Sequence, residues 1–172
     1  KDGLSVSIGY FGDAPGRRWS VRQYLGTAVK PEWLPEYLQT AWTYYGLFPN
    51  AVIAFTPESA QFYQEIPISP GHTHLTGRIY RRANESRQQR LARYLAYRID
   101  RDTSAEDQQL SIWSNESMKS TAFEGFHLSD LEYGVRKHHD ALRSLMPVMT
   151  LAEAPAEAEI ARVNDELNCQ SI

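Results

Sequence analysis

Three groups of residues in this chain are of the types that hold metals, move protons or take charged partners. The first is Glu106-Asp107, a carboxylate pair in a stretch with helical spacing. At about 100° per residue, Asp107 shares its side with Leu110, Ser111, Ser114 and Met118, a small and apolar side, whereas Glu106 points towards Gln109 and Trp113. A carboxylate directed into such a face calls for a cation, a metal ion or a proton. The alternative is a first-turn acid stabilised by the helix dipole. Glu106 itself is accounted for by a capping box opened at Thr103.

The second group is the five histidines, His72, His74, His127, His138 and His139. His72 and His74 are two apart, so in a strand they share a face and could chelate a metal. They follow Pro70-Gly71, however, where exposed strand-end histidines are expected. His138 and His139 are adjacent on a helix and point about 100° apart, a poor geometry for one metal. His139 falls with Val135 and Leu142 and reads as a hydrogen-bonded core histidine. With no His-x3-His pair, this chain alone builds no metal cage.

The third group is basic. Arg78 to Arg101 holds eight arginines against Glu85 and Asp100, a local excess of six charges. Arg87, Arg90, Arg93, Arg98 and Arg101 cover the helical arc opposite Leu95. Two readings stand: a docking face for an acidic protein or phosphates, or a solvated helix face. Nucleic acid is disfavoured, because no aromatic RNA motif or recognition-helix pattern accompanies the arginines. Gly-x-Ser-x-Gly and glycine-rich phosphate loops are absent.

At 172 residues with 42% hydrophobic and 12% aromatic content, the chain is expected to be a single domain, 1–172, with a real core. A net charge of −3 gives no global electrostatic reason to bind nucleic acid or a membrane. The lone Cys169 excludes a disulfide framework, a four-cysteine zinc site and a Cys-ligated cluster within the chain, and suits a reducing cytoplasm. No apolar run approaches the roughly 18–20 residues of a membrane span, and no signal peptide is visible. The opening Lys1-Asp2-Gly3 raises the expectation of a portion of a longer protein.

These groups need elements to position them. Alternation predicts strands over Leu4–Tyr10, Gln61–Ile68 and Thr73–Arg81. Ala51–Phe55 reads as a strand, and the aromatic run Thr40–Leu47 leans the same way. Gly12–Arg18, Phe48-Pro49-Asn50, Pro57-Glu58-Ser59 and Ser69-Pro70-Gly71 read as loops or turns. A short helix is expected over Pro31–Leu38, then helices over Ser86–Arg101, Thr103–Met118, Ser129–Leu145 and Ala156–Asn168. Strands followed by helices give an α+β fold, an antiparallel meander with helices on one face.

Two stretches then look familiar. One is Leu47-Phe48-Pro49-Asn50 ahead of a strand and Gln64-Glu65-Ile66-Pro67. The other is Ala105-Glu106-Asp107-Gln108-Gln109, followed by Gly125-Phe126-His127-Leu128-Ser129-Asp130-Leu131-Glu132-Tyr133-Gly134-Val135 and Lys137-His138-His139. In order and spacing, residues 40 to 147 resemble the C-terminal part of the catalytic domain in Rieske-type aromatic-ring-hydroxylating oxygenases, alpha subunit. The resemblance implies a helix-grip (Bet v 1-like/START-like) fold, here an incomplete portion of it. It also implies a mononuclear Fe(II) held by two histidines and one carboxylate, the carboxylate falling on Asp107.

The family's Asp-x2-His-x4-His pattern and its Cys/His pairs for a Rieske [2Fe-2S] cluster do not occur in this sequence. They are expected upstream of Lys1, the Rieske domain lying outside this chain. Where the family often carries a Gln after the ligand-helix midpoint, this chain has Ser114-Asn115. By the same resemblance, Trp42, Tyr44, Ala54 and Tyr63 line a pocket for an aromatic or similar apolar substrate; ordinary aromatic core is the alternative. Dioxygen, a reductase or ferredoxin electron donor, and a homotrimer are implied partners. Two rival readings remain: a non-catalytic helix-grip module binding an apolar ligand, and an interaction domain working through the arginine face.

Overall fold

Turn-forming breaks between β-prone runs fold the first part of the chain into a meander. The computed structural model describes residues 4–11, 18–69 and 71–169, in two units, residues 4–126 and residues 127–169. In the first, β1 (Leu4–Tyr10), β2 (Ala41–Leu47), β3 (Ala51–Phe55), β4 (Ser59–Ser69) and β5 (His72–Arg81) form one antiparallel sheet in sequence order. All five strands match the expected ones to within about two residues at each end. Most of the Gly12–Arg18 loop, and Pro70 of the last hairpin, lie outside the described residues.

Two helices complete this unit. α1 (Trp19–Thr27) has no counterpart among the expected elements. It is nine residues long and buries only Ser20 and Tyr24, so it carries too little apolar periodicity to announce itself. Residues 31–38 form turns with a single 3-10 turn at Glu36–Leu38 instead of a helix. Pro35, inside that run, holds the residue before it away from helical angles and offers no N–H.

α2 (Arg87–Ser117) is one continuous helix of 31 residues, not two. Ser86 opens it with a capping box: its Oγ accepts from the Gln89 N–H at 3.1 Å, and Gln89 Oε1 accepts from the Ser86 N–H at 2.9 Å. The Thr103-to-Glu106 pattern sits in mid-helix. No Gly or Pro occurs between Arg87 and Ser117, so nothing stops the first helix where a second was expected to start.

The core joins α1, β2 and α2 through Tyr24, Trp42, Leu95, Ala96 and Ile99, with Phe11 edge-on to Trp42 at 5.1 Å. A buried polar chain threads it. Trp42 Nε1–H donates to the Tyr24 hydroxyl at 3.2 Å, which donates to Glu58 Oε2 at 3.1 Å. Glu58 is 3% exposed, and burial pushes its pKa above the usual carboxylate range. Tyr24 is pushed up too, by burial and then by Glu58. The sheet with α1 and α2 on one face is an α+β, helix-grip-like arrangement.

In the second unit, the Ser129 N–H is capped by Glu132 Oε2 at 2.7 Å, and α3 (Tyr133–Leu145) follows. Met146 ends it, a 3-10 turn runs from Pro147 to Thr150, and α4 (Ile160–Cys169) follows a further 3-10 turn at Glu157–Glu159. Asn164 Oδ1 accepts from the Val148 N–H at 3.3 Å, pinning α4 to the turn after α3. His139 is half-buried and His138 exposed. No helix among the described residues is long and apolar enough to cross a membrane.

Candidate functional site

Strand register places the four expected pocket residues on one side of the sheet. Tyr44 pairs with Ala54, and Ala54 with Gln61, so these three form one row across β2, β3 and β4. Trp42 and Tyr63 stand two residues from that row along their own strands, which keeps them on the same face. This is the face that carries the helices: Trp42 packs with Leu95, Ala96 and Ile99 of α2, and Tyr63 reaches Asp100. Within that common face the four differ in depth. Trp42 and Ala54 are buried, whereas Tyr44 and Tyr63 are partly open.

α2 brings two of its acids to the same side as Tyr44. Asp100 and Asp107 are seven residues apart, two turns at 3.6 residues per turn, and both lie on the stripe that begins with buried Ala92, Leu95, Ala96 and Ile99. Tyr44 feels both. Its phenol is pushed up to about 12, first by burial and then by the Asp100 and Asp107 carboxylates. Asp100 is itself raised, chiefly by burial and further by Asp107, against the Tyr63 hydrogen bond. Tyr63 is raised by burial and then by Asp100.

The Tyr63 hydroxyl meets two acceptors, Asp100 Oδ1 at 3.1 Å and Gln61 Oε1. One phenolic proton cannot serve both fully. The phenol therefore divides its donation between the Asp100 carboxylate of α2 and the Gln61 amide of its own strand. The cluster is a polar, hydrogen-bonded patch on this face, with Gln61 only 2% exposed behind it.

Asp107 stands further along α2 and is exposed. Ser111 Oγ donates to its backbone carbonyl at 2.9 Å, and its carboxylate accepts no hydrogen bond from the described residues. The small apolar side read from the sequence is present but open, with Leu110 51% and Met118 43% exposed. Glu106 faces Arg18 at 3.5 Å rather than capping a helix start. Among the described residues, no group of three or more His, Cys, Asp or Glu could hold a metal ion. These residues thus supply carboxylates but do not by themselves fit a mononuclear iron, which needs nitrogen ligands as well.

Asp100 and Gln61 were not singled out from the sequence. Asp100 could have been, since it shares the Asp107 stripe. Gln61 needed the strand register. Glu58 needed α1, whose Tyr24 explains its burial.

No curated protein and no solved structure matches the chain. The sequence profile of the family described as ring hydroxylating alpha subunit (catalytic domain) matches residues 2–148, a span that takes in the whole sheet, α1, α2 and α3. The chain belongs to the ring-hydroxylating alpha subunit catalytic-domain family.

Proposed function

We propose that the chain serves in a Rieske-type non-haem iron oxygenase that hydroxylates an aromatic or similar apolar substrate, with Asp107 as the carboxylate ligand of Fe(II). The observation that carries this reading is the family match through residues 2–148, joined to the position of Asp107 on the sheet-facing stripe of α2. The match runs across the junction between the two units, which supports one catalytic domain. Dioxygen, electrons from a reductase or ferredoxin through a Rieske [2Fe-2S] cluster, and a homotrimer belong to the same proposal. Iron held there would activate dioxygen beside a substrate that does not itself bind the metal.

This chain's residues would do the placing. Tyr44, Ala54 and Tyr63 would form the wall opposite α2, the two tyrosine rings suiting a flat substrate, with Trp42 backing them from the core. Asp107 would serve as a ligand rather than as an acid or base.

The test compares wild type with Asp107→Ala in the full-length subunit, reading mononuclear iron content and single-turnover product. Loss of that iron and of product, with the Rieske absorbance and the circular dichroism unchanged, is the expected result. Unchanged iron and turnover would make Asp107 an ordinary surface acid and move the apolar-ligand-binding module ahead.

A further inference from the structure

We propose that the groove between β5 and the first half of α2 binds a short acidic segment of a partner protein, with Arg81 and Arg90 taking its carboxylates. Helical spacing puts Arg90, Arg93, Tyr94 and Tyr97 on one flank of α2, turned away from the buried stripe. With Ile79 and Arg81 of β5 they line a cleft of about 500 Å³. A second cleft of about 410 Å³, closed by residues 82–85, shares Arg81 and Arg90 with the first. The two arginines therefore stand where the clefts meet.

Their charge is only partly offset, since Glu85, whose pKa they help Arg93 to lower, is bonded among the described residues by Arg93 alone. Glu85 is the only carboxylate lining either cleft, and its side chain, 3% exposed, is taken bidentately by Arg93 at 2.5 and 2.9 Å. Arg81 and Arg90 form no ion pair among the described residues. The walls are amphipathic: Ile79, Tyr94 and Tyr97 are 38%, 54% and 47% exposed. Such a lining favours an anion attached to an apolar body.

Charge along α2 sets the length of the ligand. The arginines end at Arg101, and Asp102, Glu106, Asp107 and Glu116 follow. A long polyanion laid along the helix would run into these acids, whereas a segment of a few residues stays within the basic part. This disfavours nucleic acid and favours alternating acidic and apolar side chains.

The test is fluorescence anisotropy with the full chain and a labelled octapeptide of alternating Glu and Val. Saturable binding is expected, weakened by salt, at least tenfold by Arg81→Gln/Arg90→Gln and several-fold by Tyr97→Ala. Arg136→Gln/Lys137→Gln, which removes equal charge elsewhere, should leave it unchanged. Circular dichroism and melting confirm the fold of each variant, and Arg81→Gln alone replaces the pair should the pair melt early. No binding, equal loss with the distant pair, equal affinity for octaglutamate, or tighter binding of a single-stranded octanucleotide would each overturn the proposal.

Discussion

The Tyr63 hydroxyl lies 3.1 Å from Asp100 Oδ1, and this bond ties β4 to α2 two helical turns before Asp107. A helix with one apolar stripe can roll on a sheet at little cost. A directional polar contact beside the stripe fixes the roll, and with it the direction in which Asp107 leaves the helix.

Removing that contact should therefore be felt. Tyr63→Phe is predicted to lower stability by about 1–2 kcal/mol, because half-buried Asp100 loses its partner. Asp100→Asn should cost less, since an amide still serves the phenol. The double variant should be less destabilised than the two single effects together, as expected for groups in contact. Urea denaturation of the four proteins checks this, and strict additivity would show that the contact carries no energy.

Glu58 gives a pH dependence with a definite sign. Burial holds its pKa above the ordinary 4.5, so the folded chain keeps a proton that the unfolded chain releases. Stability on its account is greatest below the ordinary value and falls as pH rises through the raised one. Glu58→Gln cannot ionise and can still accept from Tyr24. It is predicted to flatten this decline and to gain on wild type as pH increases. Glu85 works oppositely: its bonds to Arg93 hold its pKa low, so its contribution is lost as pH falls and persists in the variant. Unfolding free energies from about pH 2 to 8 would separate the two, Glu85 acting below its ordinary value and Glu58 above it, and parallel curves for wild type and Glu58→Gln would refute the assignment.

The continuity of α2 makes a paired prediction. Ser86→Ala removes the true cap and should cost about 1 kcal/mol, or about 2–4 °C in Tm for a chain of this size. Thr103→Ala replaces a mid-helix residue by a better helix former and should be neutral or slightly stabilising. If a helix instead began at Thr103, the second substitution would cost as much as the first. Thermal melts of the two variants decide.

That helix also shows where sequence reasoning reached and where it stopped. Period and turn chemistry are local, so the five strands could be read from alternation and from breaks such as Phe48-Pro49-Asn50. The Leu95 and Ile99 stripe and the small apolar side of Asp107 were legible for the same reason, but as faces of two separate helices. A capping signature is only permissive, and at Thr103 the preceding helical turn overrode it. α1 escaped because a nine-residue helix burying Ser20 and Tyr24 gains its stability from the Trp42 and Leu95 cluster, which no local pattern displays. Gln61 and Asp100 joined the site through register and through packing, both of them non-local.

Depth of burial further separates the candidate wall residues by what each should do when changed. Trp42 is 6% exposed, its indole N–H is given to Tyr24 at 3.2 Å, and it packs on Phe11 and α2. Trp42→Phe should therefore act on stability, costing about 1–3 kcal/mol from a lost hydrogen bond and a partly filled cavity. Tyr44 is partly open, and its phenol sits under the influence of both Asp100 and Asp107. If Tyr44 faces the substrate as proposed, Tyr44→Phe removes a polar tip there while keeping the ring, so Tm should stay nearly constant while KM for an aromatic substrate shifts in the full-length enzyme. Steady-state kinetics with melting curves for both variants test this division. A KM change in Trp42→Phe at unchanged Tm, or a collapse of Tm in Tyr44→Phe, would exchange the roles of core and pocket between neighbours on one strand.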